Sequence, residues 1–151
     1  MEDVKRILVV SRDTPYCRRA VHYGVSLSRK YGAELYVIHV VDDPFIFGWW
    51  DLSTSSLNEE YKKLLKEARE ELHRIIDSEK KKGMSIKELI REGDPTEELI
   101  KAVKEEEIDL LIMLAHEEGH LEHFLFGRSN EEIIRKMPCS VLLVKKEERN
   151  S

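Results

Sequence analysis

Unbroken apolar runs alternate along this chain with stretches in which apolar residues recur every three or four positions. Residues 4–11 (VKRILVVS) form the first run, rich in Val and Ile, as expected of a buried strand. Thr14-Pro15 then offers a cap followed by proline at the first helical position, and the spacing predicts a helix to about Tyr31, stopped by Gly32. Residues 33–41 (AELYVIHVV) read as a second strand, halted by Asp42-Asp43-Pro44. After a long connection at 43–55, Ser56 and Glu59 make a capping box. A helix over 57–82 follows, with Leu57, Tyr61, Leu64, Leu72 and Ile76 among the positions on its apolar stripe, and Gly83 ends it.

The second half repeats the alternation. Residues 85–91 predict a third strand with Ile86, Glu88 and Ile90 on one side, a pattern that Leu89 makes imperfect. Asp94-Pro95-Thr96-Glu97 starts a helix that ends near Glu106. Residues 109–115 (DLLIMLA) predict a fully buried fourth strand. An irregular stretch at 116–127 leads to a capping box at Ser129 and Glu132 and a helix to about Met137. Residues 139–144 are the fifth strand. Residues 1–146 are expected to form one domain, with a solvated tail at 147–151.

Strands alternating with helices imply right-handed crossovers and a parallel sheet covered on both faces. The expectation is an α/β fold, a single-domain, doubly wound, five-stranded parallel sheet. Such sheets bind ligands at the carboxyl ends of their strands, where strand order reverses. The pocket candidates are therefore Ser11, Arg12 and Asp13 after strand one, with Val40 and Val41 at the end of strand two. Ala115 and His116 follow strand four, and Gly127, Arg128 and Ser129 precede the last helix.

Composition narrows the partners. The chain has 151 residues, 41% of them apolar, and 30 acidic against 25 basic side chains give a net charge of −5. No broad basic field exists for a phosphate backbone, so no nucleic-acid partner is expected. No signal-like apolar region follows the N-terminus, and runs such as 110–115 are too short to span a bilayer. A cytoplasmic location with no membrane partner is the expectation, and Cys17 and Cys139 read as reduced thiols.

The runs ILVVSRDT…AVHYGVSLSRKYGAELYVIHVVDDP and DLLIMLA…FLFGRSNEEIIRKMPCSVLLV resemble the opening and closing segments of the universal stress protein family. The resemblance covers nearly the whole chain, the loop at 43–55 least. It implies the strand order 3-2-1-4-5 and a dimer. Nucleotide-binding members of that family carry Gly-x-x-Gly, nine residues, then Gly-Ser or Gly-Thr after strand four. Here Gly127 holds the third glycine position, Leu114 and Glu117 fall where the first two belong, and Arg128 replaces the hydroxyl residue. The family's aspartate after strand one falls at Arg12, with Asp13 beside it.

Magnitudes weigh against a tightly held triphosphate. A helix N-terminus contributes roughly 0.3–1 kcal/mol to a nearby anion. Glu117 and Glu118, at about 5 Å from a phosphate, would each oppose it by about 3 kcal/mol at an effective dielectric near 20. Arg12 and Arg128 offset part of that repulsion. The first reading is thus a non-catalytic, dimeric stress-associated sensor or interaction module with a degenerate nucleotide pocket and no required cofactor. The alternative is a member that binds ATP or AMP, with or without slow hydrolysis.

Three further features suggest chemistry. His116-Glu117-Glu118-Gly119-His120 matches the HExxH string of zinc proteases, but it follows a strand rather than lying on a helix, and Gly119 disfavours one. His116, His120 and His123 are instead weak candidates for a metal-responsive loop. His22, His39 and His73 are expected to pack. Phe45, Phe47, Trp49 and Trp50 either pack on the long helix or close over the pocket. The run Val141, Leu142, Leu143 and Val144, placed at a sheet edge, predicts a homodimer through strand five. No Ser–His–Asp arrangement, Walker motif or supported Cys–His pair names a reaction.

Overall fold

A computed structural model describes residues 3–11, 17–41, 55–115 and 128–145. Within them lie β1 (Arg6–Ser11), α1 (Cys17–Tyr31), β2 (Glu34–Val41), α2 (Ser55–Lys81) and β3 (Ile86–Glu92). α3 (Pro95–Glu105), β4 (Leu110–Leu114), α4 (Arg128–Lys136) and β5 (Ser140–Val144) complete the sequence of elements. All strands pair in parallel in the order β3-β2-β1-β4-β5, as expected for a doubly wound sheet.

Each face of the sheet carries its own core. Ile7, Val9, Leu35, Val37 and Ile112 meet Ala20, Val21 and Val25 of α1 and Leu72 and Ile76 of α2. On the other face Leu8, Ile38, Leu111 and Met113 meet Leu99, Ala102 and Val103 of α3 and Ile133 of α4. Consecutive strand residues point to opposite faces, so a strand buried on both must be apolar throughout; Ile7 to Val10 are. Each such fully buried aliphatic side chain contributes roughly 1.5–3 kcal/mol.

Local chemistry sets the ends. Gly32 and Gly83 take φ of 65° and 95° after α1 and α2, the left-handed conformation that ends a helix most cheaply with glycine. Asp94 Oδ1 accepts the amides of Thr96 at 2.9 Å and Glu97 at 3.3 Å, with Pro95 opening α3. Asp109, expected inside strand four, precedes it. Its Oδ2 accepts the amides of Lys5 at 2.8 Å and Arg6 at 3.0 Å, and its own amide donates to Arg6 O. The amino ends of β1 and β4 are thereby clasped together.

Other boundaries move by one to three residues from the expected ones. α2 and α4 begin at Ser55 and Arg128, so Ser56 and Ser129 stand inside the first turns rather than ahead of them. β3 departs more informatively. Ile86 and Leu89 are buried on opposite faces while Ile90 is 73% exposed. Leu89, which breaks the simple alternation, serves the second face of a sheet covered on both. Ile90 lies near the end of an edge strand, where cover runs out. Among the expected packing histidines only His39 is buried; His22 and His73 lie exposed on α1 and α2.

Candidate functional site

The ladder between β1 and β4 runs through Ile7↔Leu110, Leu8↔Leu111 and Val9↔Ile112 and then stops. Both strands continue past that rung, β1 to Ser11 and β4 to Leu114. Their outer neighbours stay in register to the end, with Ser11 opposite His39 on one side and Leu114 opposite Val144 on the other. The Ala115 amide extends the latter pairing by donating to Val144 O at 2.7 Å. The two strands therefore part at their carboxyl ends, where strand order reverses and a doubly wound sheet places its ligand crevice.

A buried side chain ties one helix to the end of β4. Asn130, in the first turn of α4, donates from Nδ2 to Leu114 O at 3.0 Å. The bond brings the amino end of α4 to the carboxyl end of β4, where the free amides of a helix's first turn favour an anion. Ile133, one turn further along the same helix, is fully buried in the second core. Asn130 was not among the residues the sequence singled out. Its one signal is a short amide side chain, a frequent backbone hydrogen-bonder, just after the expected cap at Ser129.

The expected residues divide accordingly. Ser11 is buried at the end of β1, Val40 is half-buried against the second core, Val41 ends β2 opposite Glu92, and Ala115 follows β4. These gather at one end of the sheet, and Arg128 and Ser129 open α4 beside them. Arg12, Asp13, His116 and Gly127 lie outside the described residues, as do His120, His123, Glu117, Glu118 and the aromatic residues of the 43–55 loop.

At the far edge of the sheet, β5 pairs only with β4 among the described strands. Val144 is buried, Val141 and Leu142 are half-buried, and Leu143 is 45% exposed. Cys139, just before β5, is a free, half-buried thiol. Burial pushes it above its ordinary range, which disfavours the reactive thiolate. Among the described residues no helix is long and apolar enough to cross a membrane.

Comparison with known proteins places this geometry in a family. The model of the universal stress protein family matches residues 3–145. Universal stress protein MJ0531 of Methanocaldococcus jannaschii is 28% identical over 147 residues, spanning 94% of this chain and 82% of that one. The solved structure of protein MJ0577 from the same organism superposes with a TM-score of 0.70 at 26% identity, covering 97% of this chain and 99% of that one. Two more distant solved members share the fold and are complexes. One holds cAMP (TM-score 0.59, 18% identity, 95% and 98% covered) and one, from Archaeoglobus fulgidus, holds dAMP (0.57, 16%, 96% and 100%).

Proposed function

The chain belongs to the universal stress protein family, and on that premise we propose that it is a non-catalytic, dimeric, stress-associated sensor or interaction module of the cytoplasm. Its ligand site is the crevice between β1 and β4. The observation that carries this reading is the parting of those two strands beyond Val9↔Ile112, beside a helix end held by Asn130. The degenerate glycine pattern and the Glu117-Glu118 pair favour a weak or small ligand over a tightly held triphosphate. Mass spectrometry of small molecules released from natively purified protein is expected to show no stoichiometric nucleotide. Titration with ATP is expected to show no saturable binding tighter than roughly 100 μM. A stoichiometric nucleotide would reverse the ranking.

The second reading is an ATP- or AMP-binding member, with or without slow ATPase activity. It is favoured by the two relatives solved with cAMP and dAMP. Under it, Asn130→Ala, which frees the first turn of α4, should weaken adenine-nucleotide binding by roughly tenfold, the worth of about one neutral hydrogen bond.

Assembly is proposed through β5. An exposed strand edge recruits another strand, and antiparallel pairing about a two-fold axis covers both copies at once. Leu143 of β5, Ile134 of α4 and Met137 just after α4 leave large apolar side chains at the surface. Leu143→Arg is expected to weaken self-association by about thirtyfold or more, as for an interface residue that matters by 2 kcal/mol. Sedimentation showing only monomer for the unaltered chain at high micromolar concentration would overturn the dimer.

A further inference from the structure

The opposite end of the sheet carries a depression of its own. Residues from the ends of α1 and α2, the start of β2 and the turn before β3 line an open cleft of about 510 Å³, within the range of small-molecule sites. Ser28 of α1 is the one buried member of that lining, 2% exposed, and its Oγ makes no hydrogen bond. Glu79 of α2 accepts a hydrogen bond from Arg29 Nη2 and stands 3.5 Å from Nζ of Lys82, just after α2. Glu34, the other acid of the lining, accepts from the Tyr36 hydroxyl at 2.8 Å and faces Arg6 Nε at 3.6 Å.

Donors and acceptors decide what such a lining can hold. Both carboxylates are already engaged. Arg29 and Lys82 are not spent. A guanidinium has five N–H donors and an ammonium three, and each side chain reaches Glu79 through one nitrogen while 59% and 64% of it lie in solvent. Two helix C-termini would favour a cation, but the fold already meets that preference. Arg29 and Lys30 stand in the last turn of α1, Lys80 and Lys81 in that of α2. The amides of Ala33, Gly83 and Met84 satisfy the carbonyls of Ser28, Lys80 and Glu79. What remains in the cleft is a surplus of donors, beside apolar walls at Ala33 and Met84. We propose that it is a second ligand site, taking a small organic oxyanion whose carboxylate or phosphate group rests on Arg29 and Lys82. That group gives the buried Ser28 hydroxyl the acceptor it lacks.

This site is independent of the one proposed at β1 and β4. Isotope-labelled full-length protein is titrated with succinate and with glycerol phosphate while amide resonances are followed. Saturable shifts are expected at Gly32, Ala33, Gly83 and Ser85, with a Kd of about 1 mM or tighter for one probe. Which probe binds tighter tells a carboxylate guest from a phosphate one. Arg29→Gln and Lys82→Gln change exposed side chains, and circular dichroism checks that each variant is folded; each should weaken binding by about tenfold. Ser28→Ala should weaken it by about fivefold, yet leave the free protein no less stable in a thermal melt, because the hydroxyl lost had no partner. Lys30→Gln, a cation of the same turn outside the lining, should leave binding as it is. No saturation by either probe overturns the proposal and leaves Arg29, Glu79 and Lys82 as a tie between two helices only. So do shifts confined to the carboxyl ends of the strands, binding unchanged in either folded Gln variant of the cleft, or binding lost equally with Lys30→Gln.

Discussion

Ile112→Ala is expected to destabilise the protein by about 2–5 kcal/mol, the range for truncating a large aliphatic side chain in a packed core. Ile112 is fully buried on β4 and belongs to the core that α1 and α2 cover. It is also the last residue of β4 paired with β1, opposite Val9. A cavity here removes packing at the floor of the crevice, where the strands on either side are held by their own ladders and cannot readily collapse inward. In a domain of this size each kcal/mol moves the melting temperature by about 2–4 °C, so a drop of roughly 4–20 °C follows. Urea unfolding should show a lower midpoint at unchanged slope. A loss below about 1 kcal/mol would mean that this rung is far more loosely packed than the geometry says.

Gly24→Val should be comparably damaging for the opposite reason. At Gly24, α1 approaches the sheet closely. A Cβ there would stand 2.4 Å from Val9 Cγ2 and 3.1 Å from Leu35 Cδ1, and Val9 and Leu35 are both held in the core. Alanine would gain about 1 kcal/mol in helix propensity over glycine but meets that contact. Valine adds two more methyl groups and a preferred rotamer, and overpacking of this kind costs about 1–3 kcal/mol or more. The signature is coupling. Val9→Ala removes the obstructing methyl, so Gly24→Ala combined with Val9→Ala should be less destabilised than the sum of the two single changes, by about 0.5–3 kcal/mol. Strict additivity in denaturant unfolding would refute the close approach.

Much of this architecture could be read from residue order because the signals for strands and helices are local. The unbroken run ILVV, the Asp94-Pro95 start and the glycines at 32 and 83 each act through neighbours only a few residues away. Ser11 could be anticipated at the carboxyl end of β1 because a strand end is a local signal, and strand ends in this topology have a known use. Asn130 could not. Its partner, Leu114 O, is 16 residues distant, and an asparagine in a first helical turn reads equally well as solvated. Leu89 and Ile90 show the limit most simply: adjacent apolar residues, one buried and one in solvent, separated by how far the neighbouring layers reach.

The Asp109 clasp has a consequence at the opposite end of the strands. With Lys5 and Arg6 gripped by one carboxylate, β1 and β4 are hinged at their amino ends and splayed at the other, like tongs whose pivot lies only three rungs from the jaws. Such short leverage leaves the two strand ends little room to swing. A guest at the proposed site would give up little affinity to ordering them.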